Sequence, residues 1–224
     1  KVVAISMKDR GAVLPAGHLG DAYWYEGSSY GTWITSTRYM NELPEWVKEY
    51  NARNRADHYL NQDWELLHDI DVYDESAADN SPYESPFKGS LNTKMPYNLK
   101  ELASSNYDYS LLKATPWGNC MTTEMVVAAI AGESLGQDEH TDLLAVSYSS
   151  TDYVGHSFGP QSLEMQDTYL RMDLEIKALL DALDAAVGTG NYTLFLTADH
   201  GAVEIPGLMN EWGLPANTIR PGAV

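Results

Sequence analysis

Three short apolar runs mark the chain. They are Val2-Val3-Ala4-Ile5-Ser6-Met7, Asp142-Leu143-Leu144-Ala145-Val146-Ser147-Tyr148 and Tyr192-Thr193-Leu194-Phe195-Leu196. Each is bounded by polar residues and rich in β-formers, which predicts a buried strand. Between the second and third, Met165, Tyr169, Met172, Ile176, Leu179, Leu180, Leu183 and Val187 recur at four- and three-residue steps. That spacing predicts an amphipathic helix over 162–187, ended by Gly188 and Gly190. Met121, Met125, Ala128 and Ala129 predict a second helix over 119–131, stopped by Gly132. Strand, helix, strand at this length reads as a βαβ unit with parallel strands and a right-handed crossover.

From Pro15 to Pro116 the pattern changes. Tyr and Trp are frequent, and Gly, Ser, Asn and Pro interrupt every periodic segment. Tyr23-Trp24-Tyr25 and Thr32-Trp33-Ile34-Thr35 predict a hairpin. Leu43 to Tyr50 predicts a helix with Pro44 near its first turn. The stretch 15–116 reads as an aromatic-rich cap inserted over the sheet's ligand edge, its rings serving mainly in packing. Asp69, Asp71, Asp74, Glu75 and Asp79 lack EF-hand spacing and read as solvated surface. His18, His58, His68 and His140 have no partner spacing. A short helical piece is expected around Pro206–Asn210.

The candidate chemistry lies where the runs stop. The first ends in Lys8-Asp9-Arg10-Gly11, the second runs into Ser149-Ser150-Thr151-Asp152-Tyr153-Val154-Gly155-His156, and the third into Thr197-Ala198-Asp199-His200-Gly201. Parallel strands put their C-terminal ends at one edge, where open α/β sheets bind ligands. Asp152/His156 and Asp199/His200 are therefore expected to meet there. Lys8 and Arg10 join them if the first strand is parallel, on one side if the chain stays extended. Two carboxylates and two imidazoles suit Zn²⁺, and also Mn²⁺ or Fe. They could form one closed site or half of each of two open sites. Two metals would clamp a phosphoryl group, and Lys8 and Arg10 would hold its oxygens. Ser150, Thr151 and Thr197 are nearby hydroxyls, none expected at a helix N-terminus.

Composition narrows the partners. The 224 residues carry 32 acidic and 14 basic side chains, a formal net charge of −18. That argues against a nucleic-acid groove, and it means a phosphate substrate needs local cations or metals. No apolar run reaches membrane-span length. The single Cys120 excludes an internal disulfide and reads as a buried thiol. The chain begins at Lys1, already inside a strand pattern, and stops at Val224 without a closing element, so it is expected to be cut from something longer. The expected fold is α/β: a doubly wound, mostly parallel sheet with helices on both faces and the inserted cap, incomplete at both ends within a single domain over 1–224.

The Ser149–His156 and Thr197–Gly201 motifs resemble the alkaline phosphatase superfamily. With Lys8-Asp9-Arg10, Pro15-Ala16-Gly17-His18 and Thr35-Ser36-Thr37-Arg38-Tyr39-Met40, they resemble its phosphate-irrepressible periplasmic branch. The resemblance implies a zinc phosphomonoesterase, periplasmic or secreted, acting on a small phosphate ester through a phosphoryl-enzyme intermediate. It implies that Asp152 and His156 bind the zinc on the leaving oxygen, and Asp199 and His200 the zinc that activates a hydroxyl nucleophile. It gives Lys8 and Arg10 the phosphoryl oxygens. The family's nucleophile, an early aspartate ligand and a late histidine ligand have no match, so the chain alone is expected to bind its two zinc ions weakly and not to turn over esters. Two alternatives remain: a phosphodiesterase or nucleotide pyrophosphatase of the same superfamily, and a non-catalytic metal-binding module.

Overall fold

The computed structural model describes all residues except 88–89, 91–92, 105–107 and 219–224. In chain order it contains β1 (Val2–Ser6), α1 (Asp9–Ala16), β2 (Asp21–Glu26), β3 (Thr32–Ile34), α2 (Glu45–Asn51), α3 (Arg55–Leu60) and β4 (Asp63–Trp64). Then follow β5 (Tyr97–Asn98), α4 (Leu99–Ser104), α5 (Pro116–Gly132), β6 (Leu143–Ser147), α6 (Ser150–Phe158), α7 (Leu163–Ala186) and α8 (Pro206–Glu211).

The main sheet has the order β3-β2-β1-β6. β1 pairs in parallel with β2 and with β6, and β2 pairs antiparallel with β3. β1 is thus flanked on both sides, and its residues after Val2 are all buried. Its side chains alternate between two unlike faces. Val3, Ile5 and Met7 enter the large core with Met121 and Met125 of α5. Ala4 faces the other way, into a small cluster with Ala12, Ala16 and Ala22. Alanine on both surfaces lets α1 lie close to the sheet, while α5 covers the opposite face. This is the mostly parallel α/β sheet, helices on both faces, that the sequence predicts.

The stretch 15–116 divides. β2 and β3, the expected hairpin, extend the main sheet. The rest carries α2, α3, α4 and a separate two-stranded ladder in which Trp64 faces Tyr97. Its rings pack together: Trp64 lies 5.6–6.1 Å, centroid to centroid, from Phe87, Tyr97 and Phe158. Beneath them Asp167, wholly buried on α7, accepts from Trp64 Nε1, Leu67 N, Tyr73 OH and Arg171 Nε at 2.7–2.8 Å. Asp69, Asp71, Asp74 and Glu75 are exposed as expected, but Asp79 is half-buried and accepts from Met95 N.

α7 begins where the pattern places it, with the Ser162 hydroxyl accepting from Met165 N at 3.1 Å. It is followed by Gly188 at φ +92°. One residue of its predicted apolar face, Tyr169, is exposed instead. α5 starts three residues before the predicted helix, at Pro116, a residue suited to the first helical position.

Two further expectations of local structure fail. Tyr192–Leu196 is not a strand: it pairs with nothing among the described residues, and Phe195 and Leu196 are 87% and 74% exposed. A run of β-formers becomes a strand only where a partner supplies its backbone hydrogen bonds, so the βαβ crossover is not closed. α1 stands where an extended chain was to put Lys8 and Arg10 on one side. Its Gly11 and Pro15 argue against a helix locally, but the alanine face it presents to β1 and β2 outweighs them.

Candidate active site at the sheet edge

β1 and β6 run parallel in the register Ser6↔Ser147, so both strands end at the same level. Three serines tie the ends together. Ser6 Oγ lies 2.7 Å and Ser147 Oγ 3.1 Å from Ser149 Oγ, and Lys8 N donates to Ser6 Oγ at 3.0 Å. Gly11 lets the first turn of α1 close over this knot, since a Cβ there would stand 2.4 Å from Ser6 Oγ.

β6 turns directly into α6, and Asp152 lies in its first turn, where the helix dipole favours a carboxylate. His156 follows one turn later on the same face, its Nε2 3.4 Å from Asp152 Oδ1. The sequence places these two in an irregular stretch. The helix gives the pair its spacing. Lys8 leaves β1 as the residue before α1 and forms an ion pair with Asp152 Oδ2. Its ammonium also sits 4.6 Å from the centroid of the Tyr153 ring.

His200 arrives from the irregular segment between α7 and α8, its Nε2 3.5 Å from Asp152 Oδ1 and 3.7 Å from Asp199 Oδ2. Asp199 is 91% exposed. Lys8, Asp152, His156 and His200 therefore meet, with Asp199 at the outer rim. Arg10 does not join them. The chain turns helical at Asp9, so the extended i, i+2 relation to Lys8 is lost, and Arg10 is exposed with no side-chain hydrogen bond or ion pair among the described residues.

Burial opposes the Asp152 charge. The Lys8 hydrogen bond and charge, backed by His156 and His200, outweigh it and hold this carboxyl below the usual carboxylate range. His200 is shifted up, first by the hydrogen bond to Gly201 O and then by Asp199.

The donor set of two carboxylates and two imidazoles has the chemistry of a borderline divalent-ion site. Among the described residues, no three such donors are arranged to hold an ion, and the cation that Asp152 engages is Lys8.

Two of the three hydroxyls do stand at a helix start, contrary to expectation. Ser150 opens α6 but is fully buried under Gly118, where a Cβ would meet its Oγ at 2.0 Å. Thr151 Oγ1 accepts from Asn119 Nδ2 at 3.1 Å. Thr197 is exposed. Sequence reasoning missed the serine knot, Tyr153 and a neighbouring cation, Lys113. Paired serines at both strand ends were a usable signal for the knot. Nothing in the pattern marks Lys113.

A family model described as "Type I phosphodiesterase / nucleotide pyrophosphatase" matches residues 6–217, nearly all of the chain and both acid–imidazole motifs. The chain belongs to this family. Several of the proteins it resembles are named alkaline phosphatases. Alkaline phosphatase PhoV of Synechococcus elongatus is 50% identical over 210 residues, covering 93% of this chain and 38% of its own length. A Myroides odoratus protein named "Calcium-transporting ATPase" is 49% identical, with 92% and 38% covered. Alkaline phosphatase PafA of Elizabethkingia meningoseptica is 43% identical over 220 residues, with 96% and 39% covered. The crystal structure of wild-type PafA superposes with a TM-score of 0.91 at 41% identity, covering 96% of this chain and 41% of that one. This phosphodiesterase-family chain thus spans about two-fifths of the length of the relatives it matches.

Proposed function

We propose that this edge serves metal-dependent hydrolysis of phosphate monoesters, the activity of an alkaline phosphatase. The observation that carries the reading is the meeting of Lys8, Asp152, His156 and His200 at the C-terminal end of two parallel strands. The resemblance to PhoV and PafA agrees with it. Asp152, His156, Asp199 and His200 would hold the metal, two Zn²⁺ in the reading of the motifs. Bound there, it would supply charge that activates an oxygen nucleophile and offsets the charge of the leaving oxygen.

The chain's own residues have separate roles. Lys8, just past β1, offers a phosphoryl oxygen an ammonium that lies over the Tyr153 ring. Arg10, exposed and free to swing, adds a planar fork for the non-bridging oxygens. The two cations balance a monoester's second negative charge, which a diester lacks. In a chain of net charge −18 they are also what draws a phosphate in. The substrate is a small phosphate ester, and the setting is the periplasm or the exterior of the cell. Among the described residues no helix is long and apolar enough to cross a membrane.

The test uses the full-length protein. Phosphomonoester turnover should fall at least about a hundredfold on Asp199→Ala or Asp152→Asn, with zinc uptake measured by calorimetry falling in parallel. Unchanged turnover in both variants would overturn the reading. The family description supports a second reading, phosphodiester or pyrophosphate hydrolysis. Lys8→Ala with Arg10→Ala decides between them: a monoesterase loses its preference for monoesters over diesters, whereas a diesterase keeps its diester rate. Zinc uptake with turnover of neither ester class would mark a non-catalytic metal-binding module.

A further inference from the structure

Lys8 belongs to a second feature besides the Asp152 cluster. A cavity of about 340 Å³ opens beside it, lined also by Asp9, Trp24, Glu26, Lys113 and Tyr153. Trp24 and Glu26 come from the C-terminal end of β2, Tyr153 from α6, and Lys113 from the 3₁₀ turn Tyr109–Ala114. The volume suits a small molecule rather than a polymer.

Lys113 is the unusual member. It is partly buried, and among the described residues its ammonium has neither a hydrogen bond nor an ion pair, only the Tyr25 ring with its centroid 5.8 Å away. Burial lowers its pKa, with Glu26, Asp9 and Asp108 working against that. Each of those carboxylates is already engaged by its own backbone. Glu26 accepts from the N–H groups of Ser28, Ser29 and Tyr30 at 2.9–3.2 Å. Asp108 accepts from Ser110 N at 2.8 Å, and Asp9 from Arg10 N at 2.7 Å. A half-desolvated ammonium that touches no carboxylate directly, its nearby anions turned to their own backbone, is costly to the fold. It gains most from an anion that enters the cavity with a ligand. Lys8, the residue assigned to the phosphoryl group, faces the same space.

We propose that this cavity receives the alcohol portion of the phosphate ester, and that Lys113 selects alcohols carrying a second anion, a carboxylate or a further phosphate. The inference rests on the phosphomonoesterase reading above. Trp24 and Tyr153 supply flat walls for the carbon frame. The anion at Lys113 and the phosphoryl group at Lys8 fix the ester at two points, which orients the bond to be broken.

The test compares para-carboxyphenyl phosphate with phenyl phosphate on the full-length protein. The ratio of their kcat/KM values cancels whatever the two substrates share. Lys113→Gln should lower that ratio about tenfold, mostly through KM, as expected for one lost contact to a charged group. Lys113→Arg should restore most of it. A ratio that moves less than about twofold in Lys113→Gln, or rates that fall in parallel for both esters, would overturn the inference. If the wild type turns over neither ester, the proposed function falls by itself. Calorimetric binding of para-carboxybenzylphosphonate then decides the cavity separately: affinity weakened about tenfold by Lys113→Gln upholds its anion selectivity, and unchanged affinity ends it.

Discussion

Two aspartates on adjoining helices show how differently this fold treats the same side chain. Asp167 on α7 is wholly buried, and its four donors come from fixed parts of the structure: an indole, a backbone N–H, a phenol and a guanidinium. Asp152 on α6 stays about a quarter exposed, and its partners are a lysine and two histidines, all side chains able to swing away. The interior carboxylate is saturated so that it can stay. The edge carboxylate is held by partners that a ligand can exchange. A charged group serving the fold and one serving chemistry are thus told apart by the permanence of their partners rather than by their charge.

The largest break in this contrast is Asp167→Ala. It strands four donors, two of them fully enclosed, and removes the carboxylate paired with Arg171, so unfolding in urea should show a loss of about 3–5 kcal/mol.

Next is pH. Glu164, also buried at the start of α7, accepts from Tyr97 OH at 2.6 Å through one oxygen, while the other has no hydrogen-bond partner among the described residues. Burial pushes its pKa up to about 7, and the nearby Glu84 and Asp79 add to the rise while the Tyr97 hydrogen bond opposes it. Glu84, mainly through burial, is likewise raised to about 7. Between the ordinary carboxylate range and pH 7 the folded state holds protons that the unfolded state releases. Stability should therefore be highest at mildly acid pH and fall as pH rises to about 7, flattening above it. Glu164→Gln should remove much of that slope and raise stability at pH 8 by up to about 3 kcal/mol. A denaturation series from pH 5 to pH 8 reads both effects, and a flat wild-type profile would contradict them.

Asp152→Asn should cost no more than about 1 kcal/mol of stability, because a partly exposed ion pair contributes little to the fold. Its effect should appear in zinc uptake instead. A loss comparable to that of Asp167→Ala would erase the distinction between the two aspartates. The smallest effect is expected at Phe195→Ser, within about 0.5 kcal/mol, since the ring is 87% exposed and has no packing to lose.

Much of the sheet edge was legible from pattern alone. The apolar runs at Val2–Ser6 and Leu143–Ser147 are flanked and covered, so local preference and tertiary placement agree there. Their parallel pairing was left as a condition, and the structure supplies it, and with it the approach of Lys8 to Asp152 and His156. Tyr192–Leu196 carries the same local signal but lacks the partner backbone that would realise it. The position of Arg10 depended on a helix that Gly11 and Pro15 disguise and that only the alanine contact with β1 reveals. Lys113 was invisible because its meaning lies in what its neighbours already bond, and periodicity does not encode that.

The pairing of Val2 with Leu143 also sets a timetable. A ribosome adding roughly 5–20 residues per second needs on the order of ten seconds to pass from one partner to the other. Through that interval β1 can lie against β2 on one side while its other edge is bare, the condition in which a strand recruits the wrong neighbour. The edge that brings Lys8 to Asp152 therefore closes only once β6 has been made, and the same strand ends the exposure of β1 on that side.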